Sequence, residues 1–317
     1  MRKGIVFIIF LLLSVTMRAA LQSVHVQLLR AGTLAEQLGV YKDSVVALKI
    51  SGPINGTDVL VLRKMLGMDF EGHLIDCNLR ILDLEDARIE EGGDVYFYPY
   101  TKTEKDVISA NMFYWCYGLM YIALPSNVVK IDDSAFSSCM NLMYVKFPET
   151  LQSIGMSAFH SCTSLQELEL PQAMRSIGFR AFNHCNSLKH VNLPDGITEM
   201  DIAFMSCDSL KTIEIPMTVK RIEDGAFQLS GLRSISIPPS VQTYQDNIFS
   251  SCYYLQEVHL PDNITAITGN MFYGCDSLKH IDIPQSVLTI EHHAFSGTGL
   301  EEINLPDHLT NIGNLSQ

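Results

Sequence analysis

Two groups of residues in this 317-residue chain have the types and spacing to do chemistry. Glu257 and His259, followed by His280 and Asp282, form a mixed carboxylate and imidazole set, which suits a weak divalent-cation contact or a pH-responsive one. A solvated surface accounts for the same four residues. His259 with Asp282 is the best acid–base pair on offer, but it lacks the nucleophile, the third group and the cleft that catalysis needs. No enzyme activity, metal or cofactor is read from the sequence. The second group is the cysteines, eight in all. His160 with Cys162 and His184 with Cys185 are the only close His/Cys pairs, and neither has a second ligand pair at structural-zinc spacing.

A repeat positions these residues. Set on its prolines it recurs at Pro125, Pro148, Pro171, Pro194, Pro216, Pro238, Pro261, Pro284 and Pro306, in steps of 22 or 23 residues. Self-similarity at that period marks a solenoid, whose units cannot bury their apolar faces alone and must stack. In the unit around Pro171, Leu165, Leu168 and Leu170 point inward, and the last two alternate with Glu167 and Glu169 as in a short strand. Proline then ends the strand, because it has no N–H to give to a ladder. A second apolar pair follows, such as Met174 and Ile177, and then a turn of the form Ala-Phe-x-x-Cys.

The phenylalanine of that turn stands at Phe113, Phe136, Phe159, Phe182, Phe204, Phe227, Phe249, Phe272 and Phe295. One aromatic at one height in nine units is a packed spine. Seven cysteines (Cys116, Cys139, Cys162, Cys185, Cys207, Cys252 and Cys275) share the position three residues on, so they cannot all pair with one another, and each reads as a small buried hydrophobe. The units of Phe227 and Phe295 lack the cysteine and are one residue short, ending Ser230-Gly-Leu232 and Thr298-Gly-Leu300.

The alternation also lists the outer face of nine expected strands, a sheet of roughly 40 Å. Tyr121 and Tyr144 stand side by side there with Lys146, a rigid aromatic patch of the kind enriched at protein interfaces. Glu167, Glu169 and His190 follow, and the Glu257, His259, His280 and Asp282 set lies toward the far end.

The N-terminus reads differently. Met1-Arg-Lys precedes an apolar run from Ile5 to Val15, and Ala19-Ala20 offers a small-residue cut site, so residues 1–20 are expected to be a secretory signal peptide. Losing Arg2, Lys3 and Arg18 with it takes Lys+Arg from 22 to 19 against 35 acidic residues, a charge of −16 for the remainder. So acidic a surface argues against nucleic acid and anionic lipid as partners, and no membrane insertion is expected after cleavage.

Residues 21–110 read as an N-terminal α+β cap. Val24 to Leu28 alternates as a strand, Thr33 to Glu36 has the form of a capping box ahead of a helix stopping at Gly39, and Val45 to Ile50 is a second strand. Asn55 to Asp58 supplies caps for a helix closed by Gly67, and Leu79 to Leu84 is a third strand. The aromatic stretch Tyr96 to Tyr100 reads as a loop, either packed on the cap or forming a platform for a glycan. Residues 111–317 are the array, whose last unit stops after Ile312-Gly313, before its Ala-Phe turn. The expected consequence is an open edge suited to self-association.

The unit Leu-x-x-Ile-x-Leu-Pro-x-x-Leu-x-x-Ile-x-x-x-Ala-Phe-x-x-Cys resembles the BspA-like leucine-rich repeats of bacterial surface proteins, over about two-thirds of the chain. The stretches Ala31 to Leu34, Lys49 to Asp58 and Leu82 to Ile89 are similar to the cap on such proteins in the Bacteroides group. The resemblance implies an α/β-type solenoid with a parallel sheet, export to the cell surface or medium, and binding of a host or bacterial protein, with adhesion known for some members. It supplies no catalytic motif.

Overall fold

The computed structural model describes residues 23–97, 101–201 and 203–313, which wind into a solenoid of parallel strands with little helix. Residues 1–20, the expected signal peptide, lie outside the described residues. Each turn of the array has three sides, and each side follows from one part of the repeat.

The first side is the expected strand. In Tyr144–Lys146 the central Val145 is buried, whereas Tyr144 and Lys146 face outward, as a period of two requires. This side is not one sheet of nine strands. Tyr121–Ala123 pairs with Tyr144–Lys146, Glu167–Glu169 with His190–Asn192, and Ser234–Ser236 with Glu257–His259, while residues 212–214, 280–282 and 302–304 form no strand. Each 22-residue step of the repeat coincides with a missing pairing. The other two breaks, after Lys146 and after His259, cross full-length turns.

The second side also carries strands, which the sequence reading lacked. Two-residue segments ending on the inward aliphatic pair in parallel from turn to turn, as in Lys130–Ile131 with Ser153–Ile154 and that with Ser176–Ile177. They fall into groups of four, three and three strands.

The third side is the Ala-Phe turn. Two residues four apart take left-handed backbone, for example Ser157 (φ 55°) and Ser161 (φ 59°). That conformation costs a non-glycine residue about 1 kcal/mol, and here three N–H groups per turn point at the next one, the first being Ser157 on the Phe179 carbonyl at 2.9 Å. Phe159 donates to the Ala181 carbonyl and Ser161 to the Asn183 carbonyl, each at 2.8 Å. The nine phenylalanines from Phe113 to Phe295 stack in one unbroken column, with centroids 5.0–6.1 Å apart and planes within 14°. The cysteines line up beside it. Cys139 donates its S–H to the Phe113 carbonyl at 3.0 Å, and Cys162, Cys185, Cys207, Cys252 and Cys275 each do the same to the phenylalanine carbonyl of the turn before. In the two short units Ser230 and Thr298 take the cysteine position. A Cβ on Gly231 would lie 1.8 Å from the Asp208 carbonyl oxygen, and one on Gly299 2.3 Å from that of Asp276, so only glycine fits where the shortened turn presses on its neighbour.

Among the described residues the helices are confined to the N-terminal region. Its elements are β1 (Ser23–Gln27), α1 (Leu34–Leu38), β2 (Ala47–Ile54), α2 (Gly56–Met65), β3 (Ile81–Asp83), β4 (Ala87–Ile89), β5 (Gly92–Phe97) and β6 (Thr101–Thr103). β1, β2 and β3 continue the first side of the array, since β3 pairs directly with Tyr121–Ala123. α2 starts with the capping box of Asn55 and Asp58. The box expected at Thr33 does not form, because the Thr33 hydroxyl donates to the Arg30 carbonyl instead. The fully buried Asp58 serves α1 as well, accepting from the Gly32 N–H at 2.6 Å and the Leu34 N–H at 2.9 Å. The aromatic stretch is no loop at its start: β5 pairs antiparallel with β6, while Tyr98, Pro99 and Tyr100 lie outside the described residues.

The first Phe turn has no turn before it to supply N–H donors. In most later turns the carbonyls three before, one before and one after the phenylalanine each accept from the preceding turn, as Asp133, Ala135 and Ser137 accept from Asn111, Phe113 and Trp115. The equivalents in the first turn are Ala110, Met112 and Tyr114. The Tyr96 hydroxyl donates to Ala110 at 2.9 Å, and Arg63 Nη1 reaches Met112 at 3.2 Å, Tyr114 at 3.3 Å and Asn111 at 3.0 Å. Arg63 is almost fully buried, with its guanidinium 5.5 Å from the Phe97 ring centre. A buried acceptor left without a donor costs about 1–3 kcal/mol. Arg63→Met is therefore expected to lower stability to urea by about 2–4 kcal/mol; an unchanged unfolding curve would show that the guanidinium is not what satisfies these carbonyls.

Candidate binding surface

The Tyr121 and Tyr144 side chains stand on paired strands, opposite one another in register. Their rings stack at 5.6 Å with planes 8° apart, and both are half-buried. Burial, then the neighbouring Tyr144, Asp83 and Glu85, push the Tyr121 hydroxyl up to about 12. Burial, then Glu169 and Glu167, raise Tyr144. Both are neutral phenols at physiological pH, rigid and able to donate.

Charge is arranged in rows beside them. Lys49 on β2 bridges Asp83 at 3.4 Å and Asp86 at 2.7 Å, and Lys146 holds Glu85 at 2.5 Å. Glu85 and Asp83 were not singled out from the sequence, because they belong to the irregular N-terminal units and only the register places them here. Also unforeseen is a groove of about 400 Å³ at the entry to the strands, lined by Arg80, Tyr117, Met120, Met143 and Gln166 among others. Arg80, Met120, Met143 and Gln166 each precede a strand by one residue, a repeat position that could have been read in the same way as the outer face.

The other expected sites separate. Glu167 and Glu169 are exposed and share a strand pairing with His190 and Asn192. His259 pairs with Glu257 of its own turn at 2.9 Å, and His280 with Asp282 of its own turn at 3.0 Å, all with exposed side chains. The best acid–base pair from the sequence, His259 with Asp282, is thus not formed, since residues 280–282 leave the strand ladder and each histidine is taken by its nearer carboxylate. Tyr96 is fully buried with its hydroxyl on Ala110, and Phe97 packs edge-on against Tyr114 at 5.5 Å, so the start of the aromatic stretch belongs to the core and not to a glycan platform. His160 and His184 meet edge to face at 5.5 Å while Cys162 and Cys185 point inward, so neither His/Cys pair converges. Among the described residues, one group has ligand atoms close together, Asp69, Glu71 and His73 in the loop after α2. Glu71 and His73 are exposed and Asp69 half-buried, and exposed acidic groups are common without an ion.

The repeat matches the BspA type leucine rich repeat region in six copies, over residues 106–202 and 200–316. The chain belongs to that family. Solved structures similar to this BspA-type chain include a leucine-rich repeat protein from Bacteroides ovatus, 25% identical over 68% of this chain and 80% of that one, with a TM-score of 0.35. A leucine rich repeat protein from T. pallidum is 30% identical over 53% of this chain and 69% of that one (TM-score 0.39). A leucine rich cell surface protein from Faecalibacterium prausnitzii is 22% identical over 72% and 86% (TM-score 0.43). At these TM-scores the three add nothing beyond the repeat itself. No curated protein sequence matches the chain. Among the described residues no helix is long and apolar enough to cross a membrane. A BspA-type solenoid is an interaction scaffold: it presents one long exposed surface whose residues repeat in register.

All eight cysteines are free thiols. Burial pushes Cys116 up to about 12 and Cys252 to about 11, and raises the other five of the column. The nucleophile is the thiolate, so these seven are inert at neutral pH. Cys77 is half-buried and outside the column. Iodoacetamide on the folded chain should therefore modify Cys77 alone, and urea should release the other seven; fast labelling of column thiols under native conditions would contradict their packing.

Proposed function

We infer that this chain is an exported interaction module that binds a protein or peptide across its strand face, centred on Tyr121 and Tyr144. The observation that carries the reading is the stacked tyrosine pair. Two half-buried aromatics held in register on paired strands lose little entropy on binding and offer hydroxyl donors at their tips, which is the make-up of an interface hot spot. The groove beside them adds Met120 and Met143, adaptable apolar side chains suited to a peptide.

The charged, apolar and small-residue order of residues 1–20 supports export. With membership in a bacterial repeat family, it supports a partner outside the cytoplasm, a host or bacterial protein, in an adhesion-type role. Tyr121→Ala combined with Tyr144→Ala should leave the unfolding curve within about 1 kcal/mol and weaken a captured partner by about 2 kcal/mol or more, roughly thirtyfold. Capture from host-matrix and bacterial-envelope extracts, quantified by surface plasmon resonance, reads the effect. Equal affinity in the folded double variant would remove the tyrosines from the interface.

A further inference from the structure

The acidic groups around the tyrosine pair are not equivalent. On the Tyr121 side, Asp83, Asp86 and Glu85 are each held by a lysine of the chain itself. On the Tyr144 side, Glu167 and Glu169 are exposed, and among the described residues neither has an ion pair or hydrogen-bond partner. The Gln166 N–H donates to the Met143 carbonyl at 3.3 Å, as the Met143 N–H does to Met120 at 2.9 Å, so Glu167 follows Tyr144 at the level at which Tyr144 follows Tyr121. One ring face of Tyr144 is covered by Tyr121. The other faces the turn that carries the two free carboxylates.

An aromatic face with two unpaired carboxylates on the next turn of the solenoid is complementary to one kind of side chain. A guanidinium is flat enough to stack on the ring, is weakly hydrated, and presents paired N–H donors to carboxylate oxygens. The chain's own surface shows the same stacking, with the Arg180 guanidinium 4.9 Å from the Phe179 ring centre. The formal net charge of −13 adds a long-range pull on a basic segment.

We propose that the step from Tyr144 to Glu167 and Glu169 receives an arginine side chain of the protein partner. The proposal rests on the strand-face reading above and names the partner's anchoring residue. Tyr144 supplies the stacking face, Glu167 and Glu169 the charge, and Tyr121 buttresses Tyr144 from behind. Lys146 does not compete for the site, because Glu85 holds it on the opposite side.

The test is a titration of the full chain, carrying ring-labelled tyrosine, with N-acetyl-arginine amide, followed by NMR. Saturable shifts are expected at Tyr144, with smaller ones at Tyr121. The citrulline analogue, of equal shape and no charge, should bind roughly tenfold more weakly or worse, and Glu167→Gln with Glu169→Gln should produce a similar loss without altering the tyrosine stacking signals. Shifts that do not saturate, that citrulline reproduces, or that survive in the double glutamine variant would overturn the arginine site. The wider reading is decided separately by the tyrosine double variant: lost capture there with no arginine response here would sink the anchor alone, and unchanged capture there would sink both.

Discussion

The structure depends on the hydrogen-bonded contact between one Ala-Phe turn and the next. At that corner three backbone N–H groups per turn point along the solenoid axis, and the phenylalanine that carries the middle one stacks on its counterparts above and below. The strained left-handed residues on either side are tolerated because these bonds and the ring contact offset them. The other two sides can lose hydrogen bonds locally, and the first side does so at five joints, while the phenylalanine column stays unbroken. The cysteine belongs to the same corner. It is fully buried beside the rings, and its S–H satisfies a further carbonyl lone pair of the turn before it.

A corner that always bonds forward creates a problem at its beginning, which Arg63 and Tyr96 solve. A buried guanidinium is an expensive group, and it is tolerated here because several unpaired carbonyls converge on it and the Phe97 ring lies against it. Asp58 has a comparable role in the helices, where one buried carboxylate accepts from three backbone N–H groups and so joins α1 to α2.

Much of this was legible in the sequence, for a physical reason. A residue repeated every 22 or 23 positions contacts its own kind, so the phenylalanine column, the thiol row and the outward tyrosines follow from spacing alone. What the spacing hides is contacts made once. Arg63 and Tyr96 occur in no repeat, Glu85 meets Lys146 only through the register of the N-terminal strands, and the Asp58 carboxylate, accepting from the N–H groups at the start of α1, replaces the local box expected at Thr33. Two-residue strands on the second side are too short to show alternation. The histidine and acid residues toward the far end share a face in the repeat pattern, yet residues 280–282 form no strand and each histidine is taken by the carboxylate of its own turn. The tyrosine pair kept its predicted place because its two strands are joined by a full-length turn and anchored to β3.

That register keeps the outward side chains of the face in fixed rows. The strand face is held by the buried aliphatics beneath it and by a corner that carries none of the outward residues, so its side chains are free to vary. The direct measure of whether the Phe corner governs the fold is native-state hydrogen exchange resolved by residue. The account predicts that the N–H groups of Phe159, Ser161, Phe249 and Ser251 exchange slowest and together, more slowly than those of the strand face at Tyr144 or Glu257. Fast exchange at these four while the strand face stays protected would contradict it.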